Sequence, residues 1–170
     1  MPQYTNRWLL AASPMSDIVE AITAEQIEQV RNLFAEYRAQ LPVDYCFRKF
    51  DAEIASLPGD YSPPRGKLLL AAVLGQPVGC VGLRPFPLPD TCEMKRLYVR
   101  PAFRGGRLGR ELTERLLDAA RQLGYRSIRL DTYAPAMQAA VRMYRNMGFR
   151  EVGPEPLEPT EGLTYMELEL

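Results

Sequence analysis

An arginine- and glycine-rich turn, which ends one apolar stretch and opens a long amphipathic helix, constrains this chain more than any other segment. It reads "YVRPAFRGGRLGRELTERLLDAA", residues 98–120. Leu108, Leu112, Leu116, Ala119 and Leu123 recur at helical spacing, and Gly124 closes the run. A strand that turns through glycines into a helix aims several unpaired backbone N–H groups at one point. The helix dipole adds positive potential there. Glycines let an anion approach the backbone, and Arg104, Arg107 and Arg110 add cationic forks suited to phosphate. The same composition also suits a solvated connection, and the loop alone leaves both readings open.

The segment before the loop narrows the fold. "KLLLAAVLG" and "PVGCVGLRPF" meet at Gly75-Gln76-Pro77 and predict an antiparallel hairpin. Such a hairpin does not belong in a parallel doubly wound sheet. The phosphate motifs GxxxxGK[ST] and GxGxxG are both absent, since "GGRLG" has the wrong spacing. Asp131 lies about 20 residues past the loop, where a ribose-binding acid would sit, which keeps a nucleotide-dependent oxidoreductase as one alternative.

The remaining elements follow from periodicity and punctuation. "IVEAI" (residues 18–22) has strand character. Thr23 and Gln26 then take the capping-box positions of a helix carrying Ile27, Val30, Leu33, Phe34, Tyr37 and Leu41 up to Pro42. A short helix is expected over residues 50–57, followed by the turn cluster "PGDYSPPRG". After the loop helix come the strand "RSIRLDT", a helix over residues 135–147 capped by Gly148, and the strands "FREVG" and "LTYMELEL". The order is βααβββαβαββ, a mixed α/β domain. In "CEMKRLYV" (residues 92–99) the apolar phase slips between Met94 and Leu97, as a β-bulge or a strand end buried on both faces would require.

Composition removes whole classes of chemistry. The 170 residues suit one domain, with residues 1–14 as an N-terminal extension and 15–170 as the folded unit. Lys and Arg number 21, as do Asp and Glu, so nothing in the overall charge favours nucleic acid. With no histidine, imidazole triads and HExxH zinc sites are excluded, and no metal is expected. Cys46, Cys80 and Cys92 form no CxxC and fit a reducing, cytoplasmic setting. No apolar run approaches the roughly 20 residues of a membrane span.

"LYVRPAFRGGRLGRELTERLLDAARQLGYRSIRLDT", followed by "AAVRMYRNMGFRE", resembles the GNAT N-acetyltransferase superfamily, and the likeness in element order covers about residues 16–170. The resemblance implies a mixed, mostly antiparallel sheet of six to seven strands with about four helices and a central bulged strand near residues 92–99. It implies acetyl-CoA as cosubstrate and direct transfer of acetyl to a primary amine of a small molecule. A non-catalytic acyl-CoA-binding module is the alternative on the same fold. The family's loop, roughly (Q/R)xxGx(G/A), cradles the coenzyme A pyrophosphate on backbone amides. Here it becomes Arg104-Gly105-Gly106-Arg107-Leu108-Gly109, with Arg110 following and Arg107 in place of the middle glycine.

By the same resemblance, the backbone of Leu97, Tyr98 and Val99 meets the pantetheine arm and the thioester oxygen. Tyr144 takes the place of a tyrosine that protonates the departing sulfur. Glu93 on the bulged strand is the first candidate for the base, Asp131 the second, and an ordered water serves many relatives. Met137 stands where the family often has asparagine, so that cofactor contact is not carried over. The acceptor is expected between the first helices (residues 24–57), the "RPFPLPDT" loop and the last two strands. There Arg48, Lys49, Arg84 and Lys95 point to an anionic acceptor such as an amino-acid carboxylate. Homodimerisation is common in the family, with the C-terminal strand "TYMELEL" as one route.

Overall fold

The computed structural model describes residues 16–41 and 49–170. The N-terminal extension, Pro42, Cys46 and Arg48 lie outside the described residues. Strands β1 (Ser16–Glu20), β2 (Lys67–Val73), β3 (Gln76–Pro85), β4 (Thr91–Val99), β5 (Ser127–Tyr133), β6 (Arg150–Val152) and β7 (Leu163–Glu169) form one seven-stranded sheet in the order β1-β2-β3-β4-β5-β7-β6. Every neighbouring pair is antiparallel except β4 and β5. Helices α1 (Ala24–Gln40) and α2 (Phe50–Ser56) cover one face. Helices α3 (Leu108–Gln122) and α4 (Gln138–Asn146) cover the other.

The element order agrees with the sequence, and the boundaries move for local reasons. The capping box forms as expected: Gln26 N–H donates to Thr23 Oγ1 at 3.2 Å, while Gln26 Oε1 accepts from the amides of Ile22 and Thr23 at 3.0 Å. That box claims Ile22, so β1 runs over residues 16–20 rather than 18–22. The hairpin turns on Leu74 (φ 50°) and Gly75 (φ 78°), both left-handed, and Gln76 and Pro77 already belong to β3. A two-residue turn of this hand matches the strand twist, and Pro77 falls at a register shift in the ladder, where its missing N–H is tolerated. Helix α4 starts at Gln138 rather than at Pro135, with Met137 as its N-cap residue. Ala136 and Met137 close a turn onto Tyr133 and Ala134.

Strand β4 carries the bulge. Cys80 pairs with Tyr98 and Gly82 with Lys95, so Val81 alone faces both Arg96 and Leu97. Arg96 is the extra residue, with φ at 59°. The slip puts Cys92 and Met94 before it, and Leu97 and Val99 after it, on the same α3-facing core. Pairing of β4 with β5 covers only residues 91–93 against 127–129. Beyond that point the two strands part, while β5 stays paired to β7 along its whole length.

Candidate active site

The opening between β4 and β5 is the first part of the site. Leaving β5 strips β4 of one ladder partner over residues 94–99, so its backbone edge there faces a gap. The small cavity in this gap, about 30 Å³, is lined by Tyr37, Leu97, Asp131, Met137 and Tyr144 among others. Tyr144 reaches it from α4, its ring 5.5 Å from that of Phe149. Among the described residues nothing accepts a hydrogen bond from its hydroxyl. Burial pushes that hydroxyl well above the ordinary tyrosine range, and the nearby Tyr37 and Asp131 push it further. The result is a phenol that stays protonated. Met137 turns its sulfur inward to accept weakly from Thr132 Oγ1 at 3.4 Å and Tyr37 OH at 3.9 Å.

Strand β4 leads from the gap to the start of α3. Among the described residues the amides of residues 105–110 have no backbone acceptor, and the first helical bond is Glu111 N–H to Arg107 O at 2.8 Å. Gly105 is left-handed at φ 83°, and a Cβ at Gly105 or Gly106 would meet nothing within 4 Å. Arg107, by contrast, sits at φ −95° and ψ 0°, a backbone open to any side chain, which explains how it replaces a family glycine. The three loop arginines divide their work. Arg104 ties the loop down, donating from Nε to Val99 O and from Nη2 to Gln40 Oε1, both at 2.7 Å, and lying 5.5 Å over the Tyr98 ring. Arg110 pairs with Glu114. Arg107 has no partner among the described residues.

Beside the gap lies a cleft of about 510 Å³, walled by α2, by β3 to β5 and by the turn between β6 and β7. Among the described residues, three ion pairs hold Arg84, Lys95 and Arg96 in its lining. Arg96, its side chain 5% exposed, grips Glu53 of α2 with Nε at 3.1 Å and Nη2 at 2.7 Å, and Tyr61 OH donates to the same carboxylate at 2.6 Å. Lys95 Nζ meets Asp131 Oδ1, and Arg84 Nε meets Glu93 Oε1. Burial raises both Glu53 and Asp131, but the Arg96 and Lys95 partners outweigh it and hold each carboxyl below its ordinary value.

Of the expected residues, the structure brings Tyr144, Leu97 and Asp131 to one gap. Asp131 also lines the cleft, so it stands where the two spaces meet. Glu93 lines neither. It borders a small neighbouring cavity with Phe86 and Arg129, its carboxylate taken by Arg84. From the "RPFPLPDT" stretch only Arg84 reaches the cleft, whereas Leu157, Glu158 and Thr160 from the turn before β7 form the wall expected of that loop. Lys49 and Lys95 also line it. Sequence reasoning missed Arg96 and Glu53. The phase slip between Met94 and Leu97 carried a signal for Arg96, while Glu53 lies 43 residues away and carried none.

Residues 27–149 match the family model described as acetyltransferase (GNAT) family. An uncharacterized N-acetyltransferase of Schizosaccharomyces pombe is 36% identical over 92% of this chain and 97% of its own length. Among solved structures, a GNAT-family acetyltransferase from Staphylococcus aureus superposes with a TM-score of 0.74 at 19% identity, covering 91% of this chain and 99% of that one. A putative acetyltransferase from Salmonella typhimurium, solved with its cofactor acetyl-CoA, gives a TM-score of 0.70 at 22% identity, covering 91% of this chain and 93% of that one.

Proposed function

Because this chain belongs to the GNAT family of N-acetyltransferases, we propose that it moves an acetyl group from acetyl-CoA to the primary amine of a small molecule within a ternary complex. The observation that carries the reading is the gap between β4 and β5, with Tyr144 in its wall and Leu97 from the part of β4 that β5 no longer pairs. The structural neighbour solved with acetyl-CoA supports the choice of donor.

In this reading the free amides of residues 105–110 hold the pyrophosphate, and Arg107 adds a charge-assisted contact. The backbone edge of Leu97, Tyr98 and Val99 takes the pantetheine arm and polarises the thioester carbonyl, stabilising the oxyanion as it forms. Tyr98 contributes backbone alone, since its ring packs toward α1 and its hydroxyl meets Gln40. The amine nitrogen attacks the carbonyl carbon, the C–N bond forms, and the C–S bond breaks. Tyr144 gives its proton to the departing sulfur and is reprotonated from solvent. An incoming ammonium sheds one proton before attack and one after it. One proton therefore reaches solvent per turnover, the other balancing the new thiol.

Asp131 takes the ammonium's proton through water, since it alone among the described carboxylates lines both cleft and gap. Glu93 is instead engaged with Arg84 across the β3–β4 pair and takes no part in the proton transfer. The test is a titration with acetyl-CoA followed by an amine panel read as free thiol. At a hundredfold excess over Kd, binding contributes about 2.7 kcal/mol and raises the melting temperature by roughly 5–10 °C. No shift at millimolar acetyl-CoA would falsify this reading. A shift without thiol release from any amine favours the binding-module alternative, and a larger shift with a nicotinamide dinucleotide favours the oxidoreductase.

A further inference from the structure

We infer that the acceptor is an amino acid, a primary amine that also bears a carboxylate, and that Arg84 is the group that takes this carboxylate. The inference rests on the N-acetyltransferase reading and adds a substrate class to it. Arg84 of β3 stands in register with Glu93 of β4, and its Nε donates to Glu93 Oε1 at 2.6 Å. That bond occupies one edge of the guanidinium. The buried Glu93 therefore sets its orientation, and the Tyr61 ring, 5.9 Å from the guanidinium carbon, limits its swing. Neither Nη has a partner among the described residues, and the side chain is 26% exposed in the wall of the cleft. An oriented guanidinium with a free N–H pair is the donor geometry that a carboxylate occupies with two parallel bonds.

The other cations of the cleft among the described residues are placed differently. Arg96 grips Glu53, and Lys95 holds Asp131. Lys49 is exposed on its flexible stem and offers a point charge without a fork. Asp131, whose Oδ1 is taken by Lys95, supplies the opposite pole through Oδ2. It lies two residues beyond Arg129, the register partner of Glu93, on the same cleft-facing side of the sheet. Strand spacing alone sets the Cα atoms of Arg84 and Asp131 about 12 Å apart, and both side chains reach into the space between. A cation therefore stands at one wall and an anion at the mouth of the gap, matching a zwitterion whose amine must enter the gap. The exposed carboxylates Asp60 and Glu158 also line the cleft, where water screens them.

The experiment compares amino acids with their carboxamides and decarboxylated amines at saturating acetyl-CoA, for wild type and Arg84→Gln. Loss of the fork should raise KM for the amino acid roughly 10- to 100-fold and leave its carboxylate-free counterpart unchanged. Arg84→Lys should restore part of the difference, and acetyl-CoA binding should be the same throughout. Equal turnover of amino acid and carboxylate-free amine by wild type overturns the inference, as does an equal effect of Arg84→Gln on both. Where Arg84→Gln fails to fold because Glu93 is left buried and unpaired, Arg84→Gln with Glu93→Gln keeps a neutral hydrogen-bonded pair and is read the same way. No thiol from any amine, with acetyl-CoA still bound, overturns the underlying reaction and the inference with it.

Discussion

Tyr144 shows how a fold changes a residue's chemistry without touching its covalent structure. Burial disfavours its phenolate, so the hydroxyl stays protonated through neutral and mildly alkaline pH. A raised acid can donate to a thiolate at any pH below its own pKa. No descending limb below pH ~10 should therefore belong to Tyr144 in the pH–rate profile. Tyr144→Phe keeps the ring packed on Phe149 and removes a hydroxyl with no acceptor among the described residues. We expect kcat to fall by about 100-fold, with the melting temperature moving by no more than a degree or two. Steady-state rates and a thermal melt on one sample check both halves. Arg96 shows the opposite relation between backbone and side chain. It accepts an unfavourable left-handed backbone, and its bidentate grip on Glu53 helps to hold it there.

At the level of elements, the loop into α3 separates two jobs that its composition merges. Gly105 is present for its backbone, at φ 83°, and alanine there is strained by about 1–2 kcal/mol even though the space around it is empty. Gly105→Ala should lower the melting temperature by a few degrees, and Gly106→Ala, without a left-handed φ, should not. Arg107 is present for its charge, so Arg107→Ala should leave stability unchanged. It should weaken acetyl-CoA binding roughly tenfold and make what remains less sensitive to salt. Calorimetric titration at two ionic strengths reads that difference. The hairpin teaches a similar lesson, because Leu74, 87% exposed, takes a left-handed position that residue type alone does not suggest.

For the whole molecule, the buried ion pairs couple acid stability to the architecture of the site. Glu53 and Asp131 titrate below their ordinary values of 4.5 and 3.8 in the folded state, burial being outweighed by Arg96 and Lys95. A depressed carboxyl contributes stability above its unfolded pKa and loses that contribution as pH falls through the lower folded one. The melting temperature should therefore stay level from pH 7 to about 5 and decline below about 4. Asp131→Asn should flatten part of that decline, and melts across the range decide it. The same pairs bind α2 and β5 to β4 around one cleft, so acid weakens the site and the fold together.

Much of this was legible in the chain. The capping box, the hairpin, the loop into α3 and the slipped phase in "CEMKRLYV" are local signals, each written within a dozen residues. Local backbone preference and apolar periodicity determined them, and the structure moved only their edges. The site itself was decided elsewhere. Arg96 finds Glu53 across 43 positions, and Lys95 finds Asp131 across 36. Glu93, the first candidate for the base by resemblance, meets Arg84 through strand register. Periodicity tells which face a side chain takes and not which strand lies beside it. The sheet order β3-β4-β5-β7, with β4 and β5 parting after three paired residues, placed those charges and opened the gap. Only tertiary packing supplies that information, because each partner's position depends on elements far away along the chain.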